Sequence, residues 1–486
     1  MKIDFIQEPE LEFGAAKHID IRFGLMNYGP FDFANRLAPK DIRLGFIGTP
    51  QTIQGIEAWL DKCKGGIEAK KSNQPQLFPR FPGFGPDVSY RASFVTSPQL
   101  HRAIPQREFE RLGRWNHPDR LIVEAVDLFL SEIEHIAENH PAVDVIICAI
   151  PLELLELMRS EDTDSYAQNE EVGEDGIIRL NFRDMLKAQA MKYKKPIQLV
   201  LPMTYDPTKK LKPRLSAKTK EDIRCLQDEA TRAWNIHTAL YYKANGTPWR
   251  LVRDSSQPTT CYVGISFYIS LDGARLQTSM AQVFNERGDG IIVRGGAAKQ
   301  SKDDRKPYLE EEDAFKLLTG ALQRYRKEHY NMPARVVVHK SSPFKLEEKE
   351  GFRQAAEDSN IGFIDFISLS RTYTRLMRIG NYPPLRGTLL TLDERNHVLY
   401  TRGSVDFFST YPGMYVPTPL KFRCEETDQE PHFLAQEILG LTKMNWNDTQ
   451  FDGGSPITIG GARYVGSVLK YLGEEDTPEA RYSYYM

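Results

Sequence analysis

Four polar side chains between residues 183 and 243 are of the types that hold an anion. Arg183 and Lys187 are four residues apart, so on a helix both project from one face. Gln198 and Lys243 follow on two further segments. A fixed anion needs donors from several elements, and arginine, lysine and an amide supply them. The pattern predicts an anion pocket, although two cations at this spacing are more often a solvated helix face.

Three predicted elements position these side chains. The segment NFRDMLKAQAMKYKK, residues 181–195, is predicted to be a helix, and PIQLVLP is predicted to be a buried strand. A long helix is predicted over residues 220–242, with Thr219 and Asp222 as a capping box. Lys243 lies at its C-terminal end. Because ligands of α/β sheets bind at strand ends and helix termini, we expect the four side chains to meet there.

These residues resemble the MID domain of Argonaute proteins. Arg183, Lys187, Gln198 and Lys243, followed by YYKANGTPWRL, match each position of the pattern with which that domain holds the 5′ phosphate of a guide strand. The resemblance implies that these four side chains form a guide 5′-phosphate site in a Rossmann-like domain.

The tail RYSYYM also resembles Argonaute tails, which fold back into the MID domain. A fixed carboxylate in that position neutralises a metal ion. The resemblance therefore implies a structural Mg²⁺ ion between the guide phosphate, Gln198 and the C-terminal carboxylate of Met486.

The second half of the chain has a different pattern. Three strands, a helix, a strand, a helix and a strand follow one another from TCYVGISFYISL to IGFIDFISL. This is the order of the ribonuclease H fold, on which the PIWI domain of Argonautes is built. In the first half, helices alternate with apolar strands such as AVDVIICAIP, which is typical of a doubly wound sheet. We expect an α/β protein with an N-terminal arm over residues 1–40, a Rossmann-like MID domain over 41–250 and a ribonuclease H-like PIWI domain over 251–486.

The carboxylates of a ribonuclease H active site are missing from the expected positions. Such a site binds two metal ions through several converging carboxylates. The resemblance to slicing Argonautes puts Ser266, Ser341 and Arg463 at three of the four positions and, more loosely, Gly296 at the fourth. One of these side chains is a cation, which repels Mg²⁺. We therefore predict that the PIWI domain has no catalytic residues and does not cleave nucleic acid.

Two other interpretations stay open. In the first, the strands are misregistered, Asp289 or Asp303 is a real ligand, and the chain is an active guide-directed slicer nuclease. The second is a small-molecule α/β enzyme, although the chain lacks a GxGxxG motif that opens a helix after the first strand and lacks a P-loop. The inactive guide-binding protein is the interpretation that the motifs favour.

Composition limits the remaining possibilities. The chain has 486 residues, enough for two or three domains, and a net charge of −3, so any nucleic acid must bind in a local channel rather than in an overall basic field. Five scattered cysteines without a CxxC motif support neither disulfides nor a zinc site. No signal-peptide region or long apolar run is present, so we expect a cytoplasmic protein.

The resemblance is to short prokaryotic Argonautes, because a PAZ domain and a separate N domain do not fit in this length. It implies a guide, expected to be RNA, a complementary single-stranded DNA target, and a role in defence against plasmids or phage. It also implies an APAZ-containing effector partner, with a sirtuin-like or TIR NAD-degrading domain favoured over a nuclease. The aromatic loop over residues 78–84 and the N-terminal arm are candidate docking surfaces, although core packing is the more common fate of any one phenylalanine.

Overall fold

The computed structural model describes residues 1–115, 117–158, 180–211, 226–254, 256–273, 275–284, 290, 292–379, 382–411, 416–473 and 475–486. The predicted capping box of Thr219 and Asp222 and the alternative ligand Asp289 lie outside these residues.

Nineteen strands and twelve helices are formed by the described residues. The strands are β1 Lys2–Phe5, β2 Leu11–Glu12, β3 Lys17–His18, β4 Asp41–Gly48, β5 Ser93–Val95, β6 His101–Ala103, β7 Val145–Ala149, β8 Ile197–Val200, β9 Arg250–Leu251, β10 Thr260–Ile269, β11 Leu276–Phe284, β12 Ile292–Ala297, β13 Lys299–Gln300, β14 Pro307–Tyr308, β15 Arg335–Lys340, β16 Phe363–Arg371, β17 Thr388–Thr391, β18 Asn396–Leu399 and β19 Leu420–Glu426. The helices are α1 Ile21–Tyr28, α2 Pro50–Lys64, α3 Gln106–Leu112, α4 Pro118–Asn139, α5 Leu152–Met158, α6 Phe182–Ala190, α7 Pro202–Tyr205, α8 Glu229–Lys243, α9 Glu311–His329, α10 Leu346–Asp358, α11 Pro431–Leu441 and α12 Ile457–Leu469. None of these helices is both long and apolar enough to cross a membrane.

The chain forms two compact units, and the first is built on a parallel sheet. This parallel-sheet unit comprises Asp32–Pro248, Leu271–Gly273 and Ser483–Met486. Its strands lie in the order β5-β4-β7-β8, with β6 also paired to β4, and every pairing is parallel. All five residues of β7 are buried, as its continuous apolar run predicts. The doubly wound pattern of the first half therefore does form a parallel sheet.

The second unit is built on a nine-stranded mixed sheet. This mixed-sheet unit comprises Met1–Phe31, Trp249–Ser270 and Ala274–Tyr482. Its strands lie in the order β1-β17-β18-β19-β16-β15-β10-β11-β12, with β10, β15 and β16 parallel to one another. Along the chain, β10, β11, β12, α9, β15, α10 and β16 reproduce the predicted order, with the short β13–β14 hairpin added before α9.

Alternating side chains of the mixed sheet bury its two faces against different helices. Val336 and Val338 of β15 pack in the core cluster that includes α9 and α10, whereas Val337 packs in the cluster that includes α11 and α12. Successive residues of a strand point to opposite faces of the sheet. The face of one side chain therefore fixes the faces of its neighbours along the strand. Residues of β10 follow the same rule, since Val263 and Ile265 belong to the α9–α10 cluster.

The N-terminal residues are tied into the mixed-sheet unit. β1 pairs with β17 in antiparallel register, and β2 pairs with β9. The carboxylate of Glu8 lies 2.9 Å from Arg386 and 2.9 Å from Lys443, both of which are fully buried. Burial raises the pKa of Glu8, but the two cations outweigh that effect and hold it below its ordinary value. The predicted arm is thus anchored by an internal ion cluster, and its role in docking stays a prediction.

Two predictions about the parallel-sheet unit are wrong. The helix that carries Lys243 begins at Glu229 rather than near residue 220, because Asp228 is the N-cap and its carboxylate accepts from the backbone N–H of Thr231. Residues 226–228 of the described chain are not helical. The helix that carries Arg183 and Lys187 is likewise shorter than predicted, and ends at Ala190.

The aromatic loop over residues 78–84 is not an exposed docking surface. Phe81 and Phe84 are buried. The ring of Phe81 packs edge-on against Trp234 of α8 with 5.1 Å between centroids, and Phe84 stacks on Phe94 at 4.1 Å. Burial of large aromatic rings contributes strongly to folding, so this loop belongs to the core of the unit.

Candidate functional site

Helix α6 presents two cations to the interior of the parallel-sheet unit. The Asn181 side chain caps the helix by accepting from the backbone N–H of Asp184. Arg183 and Lys187 lie one turn apart, with 8% and 2% of their surfaces exposed. The solvated helix face that two cations usually indicate is therefore not what forms here.

Gln198 and Lys243 reach the same place from a strand and another helix. β8 holds Gln198 beside Ile147 of β7, and Lys243 occupies the last turn of α8 with 2% of its surface exposed. The Lys243 ammonium donates to Gln198 Oε1 at 2.6 Å. The Gln198 amide nitrogen donates to the carbonyl of Leu199 at 3.0 Å. Gln198 thus orients Lys243, and both ends of its amide already have partners.

The final residues of the chain supply the remaining acceptors. Lys187 Nζ donates to the main-chain oxygen of Tyr485 at 2.9 Å, and Lys243 Nζ donates to the main-chain oxygen of Met486 at 3.1 Å. The Tyr484 hydroxyl donates to the carbonyl of Lys194 at 3.0 Å. The structure therefore brings together Lys187, Gln198, Lys243 and Met486, as the resemblance implies.

The electrostatics of this cluster favour a bound anion. Burial, and then the positive charges of Arg183 and Lys243, lower the pKa of Lys187 well below its usual range. Burial and Arg183 lower the pKa of Lys243 to about 7. Asp184 pairs with Arg183 at 2.8 Å, so the three cationic side chains of this cluster have one acidic side chain among them, and Lys243 also donates to the last residue, Met486. An anion placed among the lysines would offset their repulsion and raise both pKa values.

Sequence reasoning missed Asp184 and Tyr485. Asp184 neutralises the neighbouring Arg183, and Tyr485 contributes a backbone oxygen to Lys187. An acid directly after a predicted phosphate-binding arginine was a readable signal. No side-chain pattern reveals a main-chain acceptor 298 residues away from its donor.

The predicted Mg²⁺ ion does not fit these residues as they are arranged. The oxygens of Gln198 and Met486 that were expected to bind it both accept from the Lys243 ammonium. Mg²⁺ requires about six oxygen ligands at close range, and a cation already occupies the centre of this set. Among the described residues there is also no group of three or more histidine, cysteine, aspartate or glutamate side chains that could hold a metal. Lys243 supplies positive charge at this position, and a Mg²⁺ ion bound together with a guide phosphate stays a prediction.

The expected catalytic positions of the mixed-sheet unit carry non-ligand side chains. Ser266 is buried in β10 opposite Ser279, and the backbone N–H of Ser341, just beyond β15, donates to the carbonyl of Ile265 at 3.1 Å. Arg463 lies on α12, and Gly296 lies on β12. The alternative ligand Asp303 is exposed in a turn. That the protein does not cleave nucleic acid stays a prediction.

Comparison with known proteins identifies related chains. No protein-family model matches the sequence. A curated relative, "Protein argonaute" of Cereibacter sphaeroides, is 23% identical over 268 residues, which cover 49% of this chain and 33% of that protein. The chain therefore spans about a third of the length of this relative.

Solved structures give the same result for the fold. Clostridium butyricum Argonaute, bound to a guide DNA and a 19-mer target DNA, matches with a TM-score of 0.60 and 14% identity over 98% of this chain and 53% of that one. Drosophila Piwi matches with a TM-score of 0.58 and 12% identity, over 99% of this chain and 56% of that one. Aa-Ago with externally bound siRNA matches with a TM-score of 0.61 and 15% identity, over 100% of this chain and 56% of that one.

These matches define an α/β protein with the MID–PIWI fold. The chain is similar in sequence to the curated Argonaute over half of its length, shares the fold of the matched Argonaute and Piwi structures, and spans about half the length of those structures. The predictions of an Argonaute relationship and of a Rossmann-like domain followed by a ribonuclease H-like domain are confirmed.

Proposed function

We propose that this chain recognises nucleic acid through a guide whose 5′ phosphate binds among Arg183, Lys187 and Lys243. One observation carries the proposal: two buried ammonium groups converge with an arginine, and burial followed by the neighbouring positive charges lowers the pKa of both. Burying unmatched cations destabilises a fold, and a dianionic terminal phosphate supplies the missing charge.

The hydrogen bonds of the two lysines leave room for such a ligand. An ammonium has three N–H donors. Among the described residues, Lys187 directs one of them to the carbonyl of Tyr485, and Lys243 directs two to Gln198 and Met486. The remaining donors can bind phosphate oxygens without breaking these bonds. A guide that ends in a 5′ hydroxyl lacks the charge that this cluster needs.

A binding comparison tests the proposal. A 5′-phosphorylated guide RNA should bind more tightly than the same RNA with a 5′ hydroxyl, and the Lys187→Ala and Lys243→Ala variants should abolish that preference. Each lost charge-assisted contact is expected to cost about 1.5–3 kcal/mol. Lys192→Ala is the matched control, because Lys192 is an exposed cation of the same unit. Equal affinity of wild-type protein for the two guides would refute the pocket.

We further propose that the PIWI unit pairs a single-stranded DNA target with the guide but does not cut it. Ser266, Ser341 and Arg463 support this part, since none offers the carboxylate that a two-metal site requires. The guide-directed slicer remains the competing function. Guide-loaded protein should leave a matched target intact with Mg²⁺ or Mn²⁺, and a cut opposite the middle of the guide would establish the slicer.

The remaining step of the proposal is transmission to an APAZ-containing effector. A protein that recognises a target without chemistry of its own needs a partner whose state the binding energy shifts. The relationship to Argonautes and the non-ligand catalytic positions support such a partner. An NAD-degrading effector is favoured over a nuclease.

A further inference from the structure

Two arginines of the mixed-sheet unit lie on one face at the end of its parallel strands. In β16, Ile367 and Leu369 point toward the α11–α12 face, and strand alternation puts Arg371 on that face as the last residue of the strand. In β10, Ser266 lies on the same face, because its neighbour Ile265 points to the opposite one. The end of β16 and the first expected catalytic position therefore share this surface.

Arg463 of α12 is close enough to Arg371, at the end of β16, for the two charges to interact. Ile459 of α12 packs in one cluster with Ile367 and Leu369. Arg463 is four residues after Ile459, so it lies on the same row of the helix surface, one turn further on. Arg371 likewise follows Leu369 by two residues on the same strand face.

Neither arginine has a carboxylate partner in the described part of the chain. Both lack a side-chain hydrogen bond or ion pair there, in contrast to the buried Arg335 and Arg386 of the same unit. Partial burial and, after it, the positive charge of Arg371 lower the pKa of Arg463. An anion placed between two guanidinium groups that have no carboxylate partner would offset their repulsion.

The chain that follows β16 adds to the character of this surface. Residues 371–378, RTYTRLMR, contain three arginines and no acidic residue. Tyr373 and Met377 are 97% and 93% exposed. Exposed aromatic rings among arginines are typical of surfaces that follow a nucleic-acid backbone and stack on bases. An acidic peptide has no comparable use for an exposed tyrosine ring.

We propose that Arg371 and Arg463 form a metal-independent clamp for a backbone phosphate of the target strand. This inference rests on the proposed function. The clamp lies on the face that carries Ser266, where a nuclease of this fold holds metal ions. This face lacks the catalytic carboxylates, and in our proposal it holds the target strand by guanidinium contacts instead. The two arginines bind the phosphate bidentately, and their positive charge serves in place of metal ions.

Neutral phosphate replacement in the target tests the clamp. Guide-loaded protein is titrated with matched DNA targets in which one phosphate at a time is a methylphosphonate. For the wild type, we expect one or two adjacent replacements to weaken binding about tenfold, and Arg463→Ala or Arg371→Ala to weaken binding of unmodified target by a similar factor. In either single variant the sensitive replacement should have a smaller effect than in the wild type, because one arginine still contacts the phosphate, and in the double variant it should have none. Arg463→Lys keeps the positive charge but not the paired N–H donors of the guanidinium group, so this variant should bind the target with intermediate affinity.

Salt and metal dependence provide a second measurement. Each arginine removed should reduce the slope of log affinity against log salt by about 0.7–0.9, and wild-type target affinity should be the same in EDTA as in Mg²⁺. Arg326→Ala is the control, because Arg326 is exposed on α9 against the opposite face. Guide affinity should be unchanged in all variants.

The outcomes separate this inference from the proposed function. If wild-type protein with guide does not bind a matched target, the proposed function fails. If it binds, but the arginine variants keep the wild-type methylphosphonate profile and salt slope, the clamp fails and the proposed function stands. Unchanged target affinity together with loss of binding to a partner protein would likewise overturn the clamp.

Discussion

Lys187 and Lys243 show how much of a binding site sequence spacing can predict. The four-residue spacing of Arg183 and Lys187 correctly predicted a shared helix face, and the position of Lys243 at a helix end was also correct. Burial was not predictable from spacing, because it depends on the strand beneath and on main-chain oxygens of residues 485 and 486. The lowered pKa values follow from that burial and were equally invisible in the sequence.

The lowered pKa of Lys243 predicts that the unliganded protein becomes more stable as pH rises above neutrality. With a pKa of about 7 in the fold and an ordinary value of 10.5, the unfolded chain binds more protons between these limits, so unfolding becomes less favourable as pH increases there. The slope from this residue approaches about 1.4 kcal/mol per pH unit, and Lys187 adds to it. Urea unfolding measured from pH 7 to 9.5 provides the test.

Two variants test whether the pH dependence of stability comes from Lys243. Lys243→Met keeps the size of the side chain without the charge and should flatten the dependence, whereas Lys192→Ala should leave it as in the wild type. Binding of a 5′-phosphorylated guide at pH 8.5 should be accompanied by proton uptake, visible in calorimetry as a dependence on buffer ionisation enthalpy. A falling stability between pH 7 and 9.5 would contradict the pKa shift.

Arg463 should prevent simple restoration of nuclease activity. The double variant Ser266→Asp, Ser341→Asp gains two carboxylates, but the guanidinium of Arg463 still opposes the metal ions. We expect no cleavage of a labelled, matched target with Mg²⁺ or Mn²⁺ and no measurable Mn²⁺ binding by calorimetry. Cleavage by this double variant would show that Arg463 lies too far from the metal positions to matter.

At the level of elements, local signals identified strands and helices but misplaced a boundary and a surface. The sequence analysis did not identify Asp228 as the cap of the helix of Lys243, although its carboxylate accepts from the backbone N–H of Thr231. The aromatic loop looked exposed because its local composition resembles a turn. Its burial depends on Trp234, which is about 150 residues further along the chain.

The contact between β10 and α12 allows a sharp test of the mixed-sheet packing. A Cβ on Gly264 would lie 2.0 Å from the carbonyl oxygen of Thr458, so Gly264→Ala must push the helix away from the strand. We expect a loss of several kcal/mol in the free energy of unfolding. Chemical denaturation of purified protein measures this loss.

Gly460→Ala is the matched control for that substitution. Gly460 lies in α12, and nothing lies within 4 Å of its added Cβ. Because alanine favours the helix, the control should be stabilised by about 0.5–1 kcal/mol. Equal stability of Gly264→Ala and the wild type would mean that α12 does not pack on β10 as described.

At the level of the whole molecule, element order predicted the fold more reliably than any single residue did. The succession from β10 to β16 was predicted as a ribonuclease H-like order and is observed. The pairing of β1 with β17, and the ion cluster of Glu8 with Arg386 and Lys443, were not predicted. Contacts between residues this far apart in the chain produce no periodic pattern in the sequence from which they could be predicted.

The proposed effector gives a prediction for the complete assembly. Co-expression with the protein encoded by the neighbouring reading frame should yield a stable complex by size-exclusion chromatography. Guide and matched target together should then trigger NAD⁺ loss, and the Lys187→Ala, Lys243→Ala double variant should not respond. A mismatched target is the control for specificity. A chain that stays monomeric with every APAZ protein tested would exclude this part of the proposal.

The main-chain contacts of Lys187 and Lys243 also determine when, during synthesis of the chain, the pocket can be completed. Lys243 and its acceptor at Met486 are separated by 243 positions, and Lys187 and Tyr485 by 298. At roughly 5–20 residues per second, a ribosome needs about 12–60 s to pass from one lysine's codon to that of its acceptor. The parallel sheet can fold during that interval, but both ammonium groups must wait for their last neighbours. The complete set of lysine contacts therefore forms only after residues 485 and 486 have been synthesised.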